Sequence, residues 1–133
     1  MVSEPELELT VQPAPGAASL ARRALASCRL VESAQEPTLL LLVSELVSNS
    51  VRHAGLRADE PIRLRASSRA DCAYVEVWDA GRSRSLPRKR EGVLGDLEPG
   101  GLGLMLVDEM ADRWGVRRSN GHTCVWFELA CDA

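Results

Sequence analysis

Four sets of residues in this chain have types and spacings that could do chemistry. The first is Glu45 and Asn49, inside the stretch PTLLLLVSELVSNSVRHAG at 37–55. On a helix they would be i,i+4 neighbours, with Cβ atoms roughly 5–6 Å apart on one face. A carboxylate and a carboxamide both offer oxygen, which suits a hard cation and the activation of a water or hydroxyl nucleophile. The second is Asp79-Ala80-Gly81, ending a run read as apolar through Tyr74, Val75, Val77 and Trp78. An aspartate there can accept a hydrogen bond from an exocyclic amine, and Gly81 lets the backbone approach a planar ring. The third is Gly100-Gly101-Leu102-Gly103. Glycines that open a helix leave free N–H groups and the positive end of its dipole facing a phosphate. The fourth is Thr123, a hydroxyl just inside a closing hairpin. Each set alone has an ordinary reading too: a solvated helix face, a strand-ending turn, a weak glycine pattern, a common strand residue.

The elements that must position these residues follow from periodicity. Leu39, Val43, Leu46, Ser50 and Ala54 recur at steps of three and four, so 37–54 is expected to be an amphipathic helix. Pro37 suits its first turn and Gly55 its stop. The Glu45–Asn49 face also carries Leu41, Ser48 and Arg52, so it borders the core. Upstream, 6–11 alternates as a strand, broken by Pro13, Pro15 and Gly16. Residues 17–31 then read as a helix with a stripe of Leu20, Ala24, Cys28 and Val31. Downstream, Ile62, Leu64 and Ala66 alternate with Arg63, Arg65 and Ser67, and 72–79 should pair with them as a hairpin, turning at 67–71. From 80 to 101 glycine, proline and basic residues dominate, as in a functional lid or a disordered segment. A helix over 102–114, with Leu104, Val107 and Ala111 on its stripe, leads to strands at 116–118 and 122–129. Asn120-Gly121 between those strands is a favoured two-residue hairpin turn. The expected architecture is α+β: a two-layer α/β sandwich of a mixed β-sheet with helices on one face, as one domain over 1–133.

Composition narrows the function. A chain of 133 residues, 45% hydrophobic, can bury one core. Its net charge of −3 argues against general nucleic-acid binding, and LLLLV is far too short to span a membrane. The acidic N-terminus MVSEPELEL lacks the features of a signal peptide, so a cytoplasmic location is expected. Cys28, Cys72, Cys124 and Cys131 have neither CxxC nor zinc-site spacing and read as reduced, non-catalytic thiols. No GxxxxGK[ST] occurs, and no GxGxxG follows the first strand. His53 and His122 read as packed or exposed rather than as general bases.

In order, Glu45-x-x-x-Asn49, Asp79-x-Gly81, Gly100-Gly-x-Gly103 and Thr123 resemble the Bergerat-fold ATPases of the GHKL superfamily. The segments SELVSNSVRHAG, VEVWDAG, GGLGLMLVDEMADRWGV and HTCVWFEL are similar to the stand-alone anti-sigma-factor serine/threonine kinases. The resemblance implies ATP as nucleotide and Mg²⁺ as its metal, with Asn49 coordinating the metal and Glu45 polarising the attacking hydroxyl. It implies that Asp79 binds the adenine amino group, with Gly81 beside the ring and Thr123 supporting the contact. Gly101, Leu102 and Gly103 would meet the phosphates under a lid at about 82–99. The same resemblance implies a homodimer that binds an RNA polymerase sigma factor and phosphorylates an anti-anti-sigma protein. An ATP-binding switch with little or no transfer activity is the alternative. One departure is Ser83, where the family often carries a second glycine. The stretch before the Glu45 helix is too short for a phosphoacceptor domain, so an autophosphorylating two-component kinase is not expected.

Overall fold

The helix expected around Glu45 is the longest in the computed structural model, which describes residues 6–69, 72–81 and 102–130. This helix, α2, spans Glu36–His53 with Pro37 in its first turn. It ends at Gly55, whose φ of 65° is the left-handed conformation that glycine adopts without steric cost. Leu39, Val43, Leu46, Ser50 and Ala54 are all buried, as the periodicity requires, and Leu42 and Val47 widen the stripe.

The preceding helix, α1 (Ala17–Ala26), is shorter than expected. Ser27 turns its hydroxyl back onto the Arg23 and Ala24 carbonyls, and Arg29 takes a φ of 52°, so the helix cannot continue. Its buried face is Ala17, Ala21 and Leu25. Leu20, expected in the stripe, is 53% exposed. The residues Leu30 and Val31 still pack on the core, but from irregular chain.

Among the described residues five strands form one sheet: β1 (Leu7–Val11), β2 (Ile62–Arg69), β3 (Cys72–Asp79), β4 (Arg113–Ser119) and β5 (His122–Leu129), in the order β1-β2-β3-β5-β4. Every pairing is antiparallel, which corrects the mixed sheet expected from the sequence. The α+β class and the helices on one face stand. Strand β2 continues through Arg69, using residues assigned to the turn. The third helix, α3 (Leu102–Met110), stops short of 114, and β4 begins at Arg113 rather than Val116. The reason is β5: it offers partners along its length, so Arg113 pairs with Glu128 and Trp114 with Phe127. Asn120 and Gly121 both have positive φ, 52° and 78°, as a two-residue hairpin turn demands.

The core lies between the helices and one sheet face, where Ile62, Leu64, Ala66, Val75, Val77, Phe127 and Leu129 meet Leu39, Leu42, Val43, Leu46 and Val107. Cys28 and Cys124 are free, but Cys72 is disulfide-bonded. That corrects the expectation of four reduced thiols. Spacing along a chain does not show which cysteines a sheet brings within bonding distance.

Candidate functional site

Side chains alternate along β3, so Ala73, Val75, Val77 and Asp79 share the helix-facing side. Asp79 ends that row, where the apolar layer gives way to polar groups. It is 91% buried and both carboxylate oxygens are engaged. The buried Ser50 hydroxyl, from α2, donates to Oδ2 at 2.6 Å, and the Gly81 N–H donates to Oδ1 at 2.8 Å. Thr123, also buried, stands directly opposite Asp79 in the β3–β5 register.

Gly81 is fixed by space. A Cβ there would sit 2.7 Å from Asp79 Oδ1 and 3.3 Å from the Ala54 Cβ at the end of α2. The missing side chain thus serves first to let the loop after β3 fold against its own carboxylate and the helix end.

The α2 residues follow from this docking. Ser50 reaches Asp79, Asn49 precedes it, and Glu45 lies one helical turn earlier. Both Glu45 and Asn49 are half-buried. Asn49 Oδ1 is fully shielded and has no hydrogen-bond partner. A buried carbonyl oxygen without a donor is costly, and a hard cation or a ligand donor would relieve it. That orphaned oxygen fits Mg²⁺. Among the described residues no group of three or more His, Cys, Asp or Glu could hold a metal. The Asn49 oxygen could serve as one protein ligand to a magnesium that arrives with phosphates, the usual way a protein binds this ion.

The structure thus brings together Asp79, Gly81 and Thr123 with the Asn49 end of α2. Leu102 and Gly103 open α3, which packs against α2. Gly101, the lid at 82–99, Ser83 and the basic residues Arg82, Arg84, Arg88, Lys89 and Arg90 lie outside the described residues. His53 and His122 are exposed. Burial pushes the Cys124 thiol up to about 12, with Glu76 adding to the rise, which makes it inert as a nucleophile.

Sequence reasoning missed Ser50 as a site residue, placing it in the apolar stripe. The available signal was a hydroxyl among aliphatic positions, directly after Asn49. It also read β3 before Asp79 as apolar, although Glu76 is buried within it.

A family model of histidine kinase-like ATPase domains matches residues 9–129. The chain belongs to that family. Membership carries ATP as the nucleotide and a kinase-like ATPase fold. Among solved structures, the chain is similar to the RsbU and RsbW domains of Rv1364c from Mycobacterium tuberculosis, with a TM-score of 0.69 at 17% identity. That match covers 92% of this chain and 31% of the other, so this chain spans under a third of that protein's length. It is also similar to the histidine kinase domain of a blue-light activated histidine kinase from Erythrobacter litoralis, with a TM-score of 0.52 at 26% identity, covering 72% of this chain and 44% of the other. The catalytic domain of histidine kinase ThkA, in a nucleotide free form, gives a TM-score of 0.52 at 18% identity, covering 71% of this chain and 67% of the other. No curated protein sequence matches the chain. Among the described residues, no helix is long and apolar enough to cross a membrane.

Proposed function

We propose that this ATPase-family domain binds Mg-ATP at the Asp79 end of β3 and transfers the γ-phosphate to a serine or threonine of a protein partner. The observation that carries the reading is the juxtaposition of a buried Asp79, held by neutral donors, with an unpartnered Asn49 oxygen. Asp79 would accept the adenine amino hydrogen, with Thr123 beside it and Gly81 leaving room. Asn49 would hold Mg²⁺, which when bound neutralises phosphate charge. Glu45, one turn away, would take the proton of the attacking hydroxyl, and Gly101, Leu102 and Gly103 would offer backbone N–H groups to phosphate. Phosphoryl transfer is chiefly positioning and charge neutralisation, which this set of groups can supply. The partners proposed are an anti-anti-sigma factor as acceptor and an RNA polymerase sigma factor as bound target, with the chain acting as a cytoplasmic homodimer. They are supported by the sequence resemblance. The likeness to the M. tuberculosis structure, which includes an RsbW domain, accords with it.

Calorimetry with and without Mg²⁺ tests the site. Asn49→Ala should depress Mg-ATP affinity more than metal-free ATP affinity, and equal losses would remove Asn49 as a metal ligand. Transfer of labelled γ-phosphate to the co-purified partner tests the chemistry. A base acting on the attacking hydroxyl contributes to the transition state and little to nucleotide binding. Glu45→Ala should therefore keep ATP affinity while transfer falls about 10²–10⁴-fold. Wild-type protein that binds ATP and partner but transfers nothing would instead be a nucleotide-gated switch.

A further inference from the structure

Ser50 occupies a position that packing alone would give to an aliphatic residue. It follows Leu46 and Val47 on the buried stripe of α2 and precedes Ala54 by one turn. A hydroxyl buried there is unfavourable unless bonded, and its bond goes to the most consequential acceptor available, Asp79 Oδ2 at 2.6 Å. A serine hydroxyl has one proton, and here that proton points to the carboxylate. With the Gly81 N–H on Oδ1, the two donors hold Asp79 from a helix on one side and from its own loop on the other. Of the roughly four acceptor sites of an ionised carboxylate, the described donors take two.

We propose that Ser50 is a positioning residue that sets base selectivity: by fixing the Asp79 carboxylate through Oδ2, it tunes the pocket to a purine carrying an amino group at C6. A purine with a C6 carbonyl would face acceptor against acceptor, and one with no C6 substituent would leave Asp79 unanswered. This inference rests on the nucleotide reading of the site. It adds that discrimination at C6 depends on α2 as well as on β3.

The test is titration of ATP, GTP and purine riboside triphosphate, which lacks a C6 substituent, into folded wild type, Ser50→Ala, Ser50→Thr, Asp79→Asn and the Ser50→Ala/Asp79→Asn double variant. Alanine is smaller and helix-favouring, so Ser50→Ala should fold, and a thermal melt checks it. Ser50→Ala should weaken ATP by about ten-fold, because binding must then order a carboxylate that Ser50 no longer holds in place. Purine riboside triphosphate should stay within about two-fold of wild type, so that its affinity and that of ATP converge. Ser50→Thr, which keeps the hydroxyl, should recover ATP preference. In the Asp79→Asn background, Ser50→Ala should add little, because the carboxylate it acts through is gone. Equal weakening of ATP and the unsubstituted purine would show a general structural effect and overturn the proposal. Unchanged ATP affinity in Ser50→Ala would overturn it too. Wild type that binds no ATP would sink the nucleotide reading itself, and the inference with it.

Discussion

Strand β3 buries two carboxylates, on opposite faces of the sheet, and they are held in opposite ways. Glu76 lies on the face turned away from the described helices, 93% buried. Tyr74 Oη donates to its Oε2 at 2.7 Å, Trp78 Nε1 to its Oε1 at 3.0 Å, and Arg117 Nη2 to its Oε2 at 2.6 Å. Arg65 adds a looser ion pair at 3.9 Å. Asp79, on the helix-covered face, has two donors among the described residues, both neutral. An ionised carboxylate has roughly four acceptor sites. The acceptor capacity of Glu76 is taken up by its own sheet, and a guanidinium compensates its charge. For Asp79 the described donors are two and neither is a cation. A buried carboxylate that is saturated and paired serves the fold, whereas one held by neutral donors with acceptor sites left open is equipped to meet a ligand.

The largest expected effect tests the structural half of this contrast. Glu76→Ala strips the acceptor from Tyr74, Trp78 and Arg117. Breaking a buried ion pair costs about 3–5 kcal/mol, but Arg117 is half-exposed and can rehydrate, so about 2–3 kcal/mol is expected by chemical denaturation. Nucleotide affinity should be unchanged, and a parallel loss of affinity would erase the distinction between the two residues. Asp79→Ala should do the reverse. Losing a hydrogen bond to a charged group is worth about 1.5–3 kcal/mol, so Mg-ATP affinity should fall by about ten-fold or more. Its stability cost should stay below that of Glu76→Ala; if it is larger, Asp79 is the structural carboxylate.

A pH titration sharpens the contrast without deleting a side chain. Burial pushes the Glu76 carboxyl up, but hydrogen bonds from Tyr74, Trp78 and Arg117, with the Arg117 charge, outweigh it and hold the carboxyl below its ordinary 4.5. A depressed folded value means the stabilisation is present above 4.5 and is lost as pH falls through the lowered value. Glu76→Gln should flatten the acid limb of stability in that window. Superimposable limbs for the two proteins would remove Glu76 as the source. The smallest effect belongs to the strand end. Arg113, mostly exposed, pairs with Glu128, and Arg113→Ala should change stability by under about 1 kcal/mol. A greater loss would mean that the helix-free face depends on its rim as well as on Glu76.

Legibility in the sequence followed the reach of the interactions. The α2 stripe and the Asn120-Gly121 turn were readable because 3.6-residue periodicity and positive-φ chemistry are local. The α1 stripe failed because two of its three buried positions, Ala17 and Ala21, are small alanines beside Leu25, and pattern matching favoured Leu20. The start of β4 failed because Arg113 and Trp114 are strand only by virtue of pairing with Glu128 and Phe127. In the site, Asp79 and Asn49 stood out by type and spacing. The role of Ser50 did not, because it arises from a contact between α2 and β3 that periodicity describes only as buried.

The register that sets Asp79 opposite Thr123 also bears on the order in which the chain folds. The β2–β3 and β4–β5 pairs join neighbours in sequence, whereas the β3–β5 ladder joins strands with α3 and β4 between them. Closing so long a loop adds little to the equilibrium cost, since each doubling of length is worth only about 0.6 kcal/mol, but non-local pairing is slow. Thr123 is therefore expected to meet Asp79 late, so the proposed nucleotide site would be complete only when the sheet is nearly whole. In refolding with pulsed hydrogen exchange, amides of the two neighbour pairs should gain protection before those of the β3–β5 ladder, and simultaneous protection would show the sheet closing in one step. On that route, ATP stabilises the finished protein by mass action and does nothing to hasten its assembly.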